Sequence, residues 1–426
     1  MTGPADYDVL RARAYLSRVA EPANVALWAF VAREGAVAAA AAIERGTAPG
    51  PVEAAAAARR GRIDSEADLA AAARGGIRLV VPEDEDWPHF ALAAMEATAA
   101  RRWEQWRAGD RAARPAGEAV PPLALWVKGD LPLRDLGIRS AGLVGARAAT
   151  QYGAEVASEL AYGLAGRGVA VVSGGAYGID AAAHRGALAA EGATVLVSAG
   201  GLDRPYPAGN AAVFERIAAG GGLLVSESPP GAAPHRRRFL SRNRLIAALS
   251  TGTVVIEAGR RSGALNTAAH ARRLGRAVMA VPGPVTSAAS VGCHDLLRGP
   301  DGDGLGAARL VTGVDDVLAE IGAPGEGLAD RARPPGGPGG GADGSVRAAL
   351  DALDAQAAAV HDALRPRRFA SEDELSVVSA LPVPQVRQSL AALLLYELAE
   401  AGPDGYRLHP RAWARPAAGP SMGGDA

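Results

Sequence analysis

Four glycine-bearing turns and one run of arginines hold the residues whose types and spacing can do chemistry. The first turn, Gly142-Leu-Val-Gly145-Ala-Arg147, lets an anion approach the backbone and adds the forked guanidinium of Arg147. It lacks the complete dinucleotide fingerprint, so a simple structural turn stands beside the phosphate cradle as a reading. The second, Ser173-Gly174-Gly175-Ala-Tyr-Gly-Ile-Asp180, makes another backbone cradle from two adjacent glycines and a hydroxyl. Asp180 and His184 are spaced i, i+4; they form either an acid/base pair or, the blander and preferred reading, a helix cap and a packing histidine. In the third turn, Gly200 to Asn210, Tyr206 either stacks a base or closes the turn beside its proline. In the fourth, Glu257 with Ser262-Gly263 suits a ribose or an activated water, and equally suits a helix cap. His235-Arg-Arg-Arg-Phe-Leu-Ser-Arg242-Asn243-Arg244 places five arginines within nine residues around Phe239. Guanidinium forks and an aromatic plane suit a single-stranded nucleic acid, and the competing reading is a solvated charged loop. Cys293 adjoins His294, but side chains of neighbouring residues need not face each other, so a nucleophile pair is not expected.

The turns need strands to carry them. Between Ser140 and Gly322, short continuous apolar runs alternate with helical patterns, as in βαβ units around a parallel sheet. Strands are expected at 141–144, 170–172, 194–198, 223–226, 253–257 and 277–281, enough for a doubly wound sheet whose loops converge at one end. Upstream, 6–74 has the spacing of a small helical domain, and 97–122, rich in Arg, Ala and Pro, is expected to be an inserted surface loop or helix. The Gly/Pro-dense stretch inside 322–344 cannot pack a core and is expected to be a flexible linker. Beyond it, 346–411 shows three helical patterns and a turn leading to a strand, which resembles a winged helix.

Composition bounds the rest. A chain of 426 residues with 49% hydrophobic and 21% charged residues is expected to form two or three soluble domains. Its formal charge of -1 requires any nucleic-acid affinity to come from a local patch, and Lys128 is the only lysine. One cysteine excludes an intramolecular disulfide framework and a cysteine-rich zinc cluster, so no metal site is expected. Residues 1–20 lack an apolar signal core and no run reaches the ~18 apolar residues of a spanning helix, so a cytoplasmic protein with no membrane partner is expected.

The order of these pieces resembles the core of the DprA/Smf family. Beyond the turns above, the resemblance rests on Leu123 to Asp130, Gly201-Leu-Asp203, Tyr206-Pro207, Ser226-Glu-x-Pro-Pro-Gly231, Arg242-Asn-Arg244, Thr267-Ala268 and Ala280-Val-Pro-Gly283, densely from Leu123 to Gly322. It implies an α/β protein with a Rossmann-like doubly wound parallel core at 76–322. Around that core the family layout places an N-terminal helical domain at 1–75, resembling a SAM or helix-hairpin-helix domain. A linker at 323–345, a winged helix at 346–412 and a disordered tail at 413–426 complete it. The resemblance further implies a homodimer that binds single-stranded DNA and loads the RecA recombinase, without catalysis or cofactor. Family DNA contacts carry over to Gly145, Arg147, Ser173, Gly174, Arg242, Asn243 and Arg244. Ala208 stands where the family often has lysine, which passes that phosphate contact to Arg204. The 346–411 stretch holds seven arginines and nine acids, and Arg387 is the only arginine of the expected recognition helix at 384–400. A helix that reads DNA should be more basic, so protein contacts are expected there instead.

Two other functions fit the same core. A nucleotide-cleaving phosphoribohydrolase would need a Pro-Gly-Gly-x-Gly-Thr-x-x-Glu loop, and Glu257-Ala-Gly-Arg-Arg-Ser-Gly263 lacks it. A nucleotide sensor would use a pocket built from Gly175, Asp180, Tyr206, Glu257, Ser262 and Gly263.

Overall fold

Strands buried on both faces read as near-continuous apolar runs, and the six expected runs are strands of that kind. Among the described residues of the first unit, nine strands form one sheet: β1 (Arg78–Val80), β2 (Leu125–Lys128), β3 (Ser140–Val144), β4 (Ala170–Gly174), β5 (Thr194–Val197), β6 (Leu223–Ser226), β7 (Gly252–Val255), β8 (Ala277–Ala280) and β9 (Arg309–Leu310). Their order is β1-β2-β6-β5-β4-β3-β7-β8-β9. From β6 to β9 every pairing is parallel, while β2 pairs antiparallel with both β6 and β1. The three strands not expected from sequence are the two short edge strands, β1 and β9, and β2 next to β1.

The computed structural model describes residues 5–110, 117, 120–299, 306–322, 353, 355–366, 368–395 and 398–409. The expected linker at 323–345, the tail at 413–426 and most of 111–119 of the insertion lie outside them. The chain divides into two units, 1–326 and 327–426.

In the first unit five helices precede the sheet: α1 (Tyr7–Val19), α2 (Val25–Glu34), α3 (Ala36–Arg45), α4 (Gly50–Ala56) and α5 (Ser65–Arg74). Then come α6 (His89–Arg107), α7 (Gln151–Ala165), α8 (Ile179–Ala189), α9 (Ala211–Ala219), α10 (Arg236–Ala248), α11 (Gly263–Arg273), α12 (Val291–Arg298) and α13 (Val314–Ile321). The period-2 alternation of strand side chains divides the core into layers. Val144, Val172, Val255 and Val278 face the cluster that holds α6, α10, α11 and α12. Leu143, Val171, Val254 and Met279 face the cluster built with α7, α8 and α13. Each such fully buried side chain contributes roughly 1.5–3 kcal/mol relative to exposure. The N-terminal helices close mainly on their own apolar cluster, yet Ala14 and Ala72 pack with Trp126, Leu196 and Phe214 of the sheet layer.

One expectation is met in its helical form and one changes. The insertion read at 97–122 begins as the C-terminal half of α6, whose Leu92, Met95 and Ala99 are buried in the core. The arginine run, for which a solvated charged loop is the competing reading, lies inside α10 instead, so its side chains fan out at about 100° per residue.

The second unit holds α14 (Ala355–Ala363), α15 (Glu372–Ser379), α16 (Val383–Leu395) and the hairpin β10 (Ala399–Gly402) to β11 (Gly405–Leu408). A reciprocal Ser371/Glu374 capping box starts α15, and Val360, Leu375, Val386, Leu390 and Leu393 form the core of this unit.

Candidate functional site

The strand order reverses at β3. The chain lays β4, β5 and β6 on one side of it and returns to place β7 on the other. Loops after β3 and β7 therefore diverge and leave a crevice at the carboxyl ends of the strands, where open α/β sheets bind ligands. A cavity of about 790 Å³ occupies this place.

The β3 and β4 loops converge there, as expected. Ile179 N–H donates to the Ala146 carbonyl at 3.2 Å. The approach depends on glycine: a Cβ on Gly145 would lie 2.5 Å from Ile179 Cγ1, and one on Gly178 would lie 2.3 Å from the Ala146 oxygen. Gly178 also has φ of +76°, which a side chain would strain.

Of the residues read from sequence, Gly145, Arg147, Asp180, Tyr206, Arg242 and Asn243 line this cavity, and Ser262 and Gly263 complete its far wall. Gly175 lines a side chamber of about 110 Å³ with Tyr206, Phe239 and Arg242. The rim is a row of planes: the Arg147 guanidinium lies 5.0 Å from the Phe239 ring, whose centroid is 5.7 Å from that of Tyr206. Tyr206 is half-exposed, so its ring is open to a stacking partner.

Arg242 lies deeper. It is buried, its Nη1 donates to the Val197 carbonyl, and its Nε donates to Asn243 Oδ1 at 3.3 Å. Burial pulls its pKa down to about 10, against the pull of Asp180. Burial likewise raises the Asp180 pKa, opposed by Arg242 and by the Ala176 N–H. Gly174 leaves room for this pair, since a Cβ there would lie 2.5 Å from Asp180 Oδ2 and 2.7 Å from Arg242 Nη1. Among the described residues Asp180 is the one carboxylate in the cavity lining and faces Arg242, so the rest of the wall is free to attract anions.

Five expected site residues lie elsewhere. Ser173 is buried and donates to the Leu143 carbonyl at 2.5 Å, and Gly174 lies beneath the Asp180 and Arg242 side chains; both form floor, not contact surface. Arg204 is exposed beside Asp203 at 3.7 Å, outside the cavity lining. Arg244 points into the core with no exposed surface, and its Nη2 donates to Glu227 Oε1 at 2.7 Å. Glu257 is buried and accepts from Thr150 N at 2.9 Å and Thr150 Oγ1 at 2.5 Å, fastening the start of α7 to β7. It does not cap α11, the helix beside it in sequence, whose N-cap is Ser262 accepting from Ala264 N.

Sequence reasoning missed Arg236, Arg260 and Arg261 as individual site residues. All three line the cavity, are exposed, and have no hydrogen-bond or ion-pair partner among the described residues. The signal for Arg260 and Arg261 was their place directly after the strand at the order reversal. Cys293 is buried, which pushes its thiol pKa up to about 11, and His294 Nε2 lies 3.0 Å from the Gly283 carbonyl, so the two do not pair. Among the described residues no group of His, Cys, Asp or Glu is arranged to hold a metal ion, and no single helix is long and apolar enough to cross a membrane.

His184 supports the floor from below. Its Nε2 lies 2.9 Å from the Gly174 carbonyl and its Nδ1 2.8 Å from Thr194 Oγ1. Burial lowers its pKa to about 4, and burial does the same to His270. Because the folded values lie below the usual ~6.5, the unfolded chain takes up these protons first, and stability falls as pH drops from ~6.5 towards ~4. Asp180, whose pKa is raised, acts in the opposite sense. Urea midpoints of wild type and His184→Gln should converge on acidification, with wild type losing about 3 kcal/mol more; parallel pH profiles would refute a neutral buried His184.

Comparison with known proteins gives a consistent result. Residues 113–322 match the family described as DNA recombination-mediator protein A. The chain is similar to the DNA processing protein DprA of Mycobacterium tuberculosis, with 48% identity over 398 residues that cover 93% of this chain and 94% of the relative. Similarity to the DNA processing protein DprA of Streptococcus pneumoniae is 40% identity over 200 residues, 47% of this chain and 67% of that protein. The X-ray structure of DprA from Streptococcus pneumoniae superposes with a TM-score of 0.56 at 28% identity, covering 75% of this chain and 99% of that chain.

Proposed function

Because this chain belongs to the DNA recombination-mediator protein A family, the DprA/Smf DNA-processing proteins, we propose that it binds single-stranded DNA in the crevice between β3 and β7. The observation that carries this reading is the composition of the cavity wall: Arg147, Arg236, Arg260 and Arg261 stand exposed around the Phe239 and Tyr206 rings, and the one carboxylate among the described lining residues, Asp180, faces Arg242. Guanidinium groups grip phosphates and aromatic faces stack bases without reading their identity. With three or four phosphates neutralised, log K should fall against log salt with a slope of about -2 to -3.

In this role the protein is a non-catalytic mediator in the cytoplasm, which covers DNA and hands it to RecA as a homodimer. Glu257, the carboxylate on which a nucleotide-cleaving reading would rest, is committed to Thr150. The second unit we assign as a winged helix, its three helices and hairpin matching that layout. Its role is protein contact, since Arg387 of α16 is engaged by Glu372 at 2.6 Å.

The test is fluorescence anisotropy with single- and double-stranded oligonucleotides. Arg147→Ala should weaken single-strand binding about ten-fold, having removed both a phosphate fork and the cover of Phe239. Binding by Arg147→Ala at wild-type strength, or equal affinity for duplex, would remove the assignment.

A further inference from the structure

A second basic cleft opens between the N-terminal helices and the core. It has a volume of about 420 Å³, and Arg18, Arg59, Arg62, Arg238 and His235 line it with one carboxylate among the described residues, Glu21. His235 also lines the cavity between β3 and β7, so the two spaces adjoin at one side chain.

Most of the cations here are fastened. Glu21 accepts from Arg238 at 2.8 and 2.9 Å, and from Arg59. Partial burial opposes its ionisation, but the two guanidiniums hold its pKa down to about 2. Arg18 donates to Asp68 Oδ1 at 2.7 Å and to the Pro230 carbonyl at 2.6 Å. These bonds tie α1, the chain after it and the first turn of α5 to α10 and to the loop that precedes it, which fixes the walls of the cleft. Four guanidiniums face Glu21 and, behind Arg18, Asp68, so two positive charges stay uncompensated. Arg62 is the side chain left over: it is exposed and makes no hydrogen bond or ion pair among the described residues. Ile63, Pro229 and Ala232 supply an apolar wall, of the kind a sugar or base edge can rest on.

Resting on the single-strand reading above, we infer that this cleft is a second segment of the DNA path. A strand leaving the crevice past His235 continues between the N-terminal helices and the core, where Arg62 grips a further phosphate. The helical N-terminal part thereby takes part in binding, and the site is longer than the crevice alone.

Anisotropy on the full chain, with oligothymidylates of about 4 and about 16 nucleotides, spans the range of single-strand site sizes and separates the two segments. Arg62→Ala should bind the short strand like wild type and the long strand about ten-fold more weakly, with a salt slope shallower by about 0.7. Arg62→Lys should retain most of the long-strand affinity. Arg62→Ala equal to wild type on the long strand, or weakened alike on both lengths, overturns the inference. So does inorganic phosphate that abolishes the Arg62 effect at constant ionic strength, since the cleft would then hold a free anion. An Arg147→Ala protein unaffected on either length would instead sink the crevice reading and leave the cleft to be judged by Arg62 alone.

Discussion

Arg244→Ala is expected to destabilise the first unit by about 3–5 kcal/mol while leaving DNA affinity nearly unchanged. The side chain has no exposed surface, and its partner Glu227 has a side chain only 9% exposed. Removing the arginine leaves a largely buried carboxylate without its partner, and that uncompensated charge is the main cost. For a unit of this size the loss corresponds to a melting temperature lower by roughly 5–7 °C. Replacing both partners by apolar residues, Arg244→Met with Glu227→Leu, should recover most of it, because the desolvation of two charges disappears together with their attraction. Single-strand binding measured below the transition should stay within about two-fold of wild type, as Arg244 does not line the cavity. A stable Arg244→Ala protein that has lost DNA would return this residue to the binding surface.

Arg260→Glu combined with Arg261→Glu is expected to do the reverse. Both side chains are exposed, unpartnered among the described residues, and on the cavity wall. Reversing them replaces attraction by repulsion along the proposed phosphate path, so single-strand affinity should drop about 100-fold near 0.1 M salt. The salt slope should become shallower by about 1.4, two phosphates at ~0.7 each. Stability should shift by no more than about 0.5 kcal/mol, the usual range for surface positions. Unaltered affinity would mean that the strand does not cross the β7 side of the crevice.

These arginines also mark how far the sequence could be read. The six central strands were legible because burial on both faces favours a near-continuous apolar run, and β3 to β8 carry one that only small buried Ser, Thr and Gly interrupt. β1 and β9 were not, for they span three and two residues at the sheet edges, too few for any period to register, and β2, as long as β5 to β8, lies upstream of the βαβ alternation and pairs antiparallel with both neighbours. The glycine turns were readable from their residues, and their convergence from the doubly wound order of the strands that carry them. What the α10 run does was not: charge density located it, but helical rotation decides direction. Arg236 and Arg242 turn to the cavity, Arg238 to Glu21, and Arg244 into the core. Arg260 and Arg261 were not legible because the chemistry of their loop reads from Glu257, Ser262 and Gly263, and two adjacent arginines carry no sign of which way they point. For Glu257 two roles suited the residue type equally, and only its contact with Thr150 separates them.

The reversal of strand order at β3 has a consequence for synthesis. The wall carrying Arg147 leaves the ribosome about a hundred residues ahead of the wall carrying Arg260, since β3 and β7 are neighbours in space and distant in sequence. A nascent chain that has folded only through β6 presents half a jaw with nothing to close against. The complete cavity therefore forms only once β7 has docked beside β3.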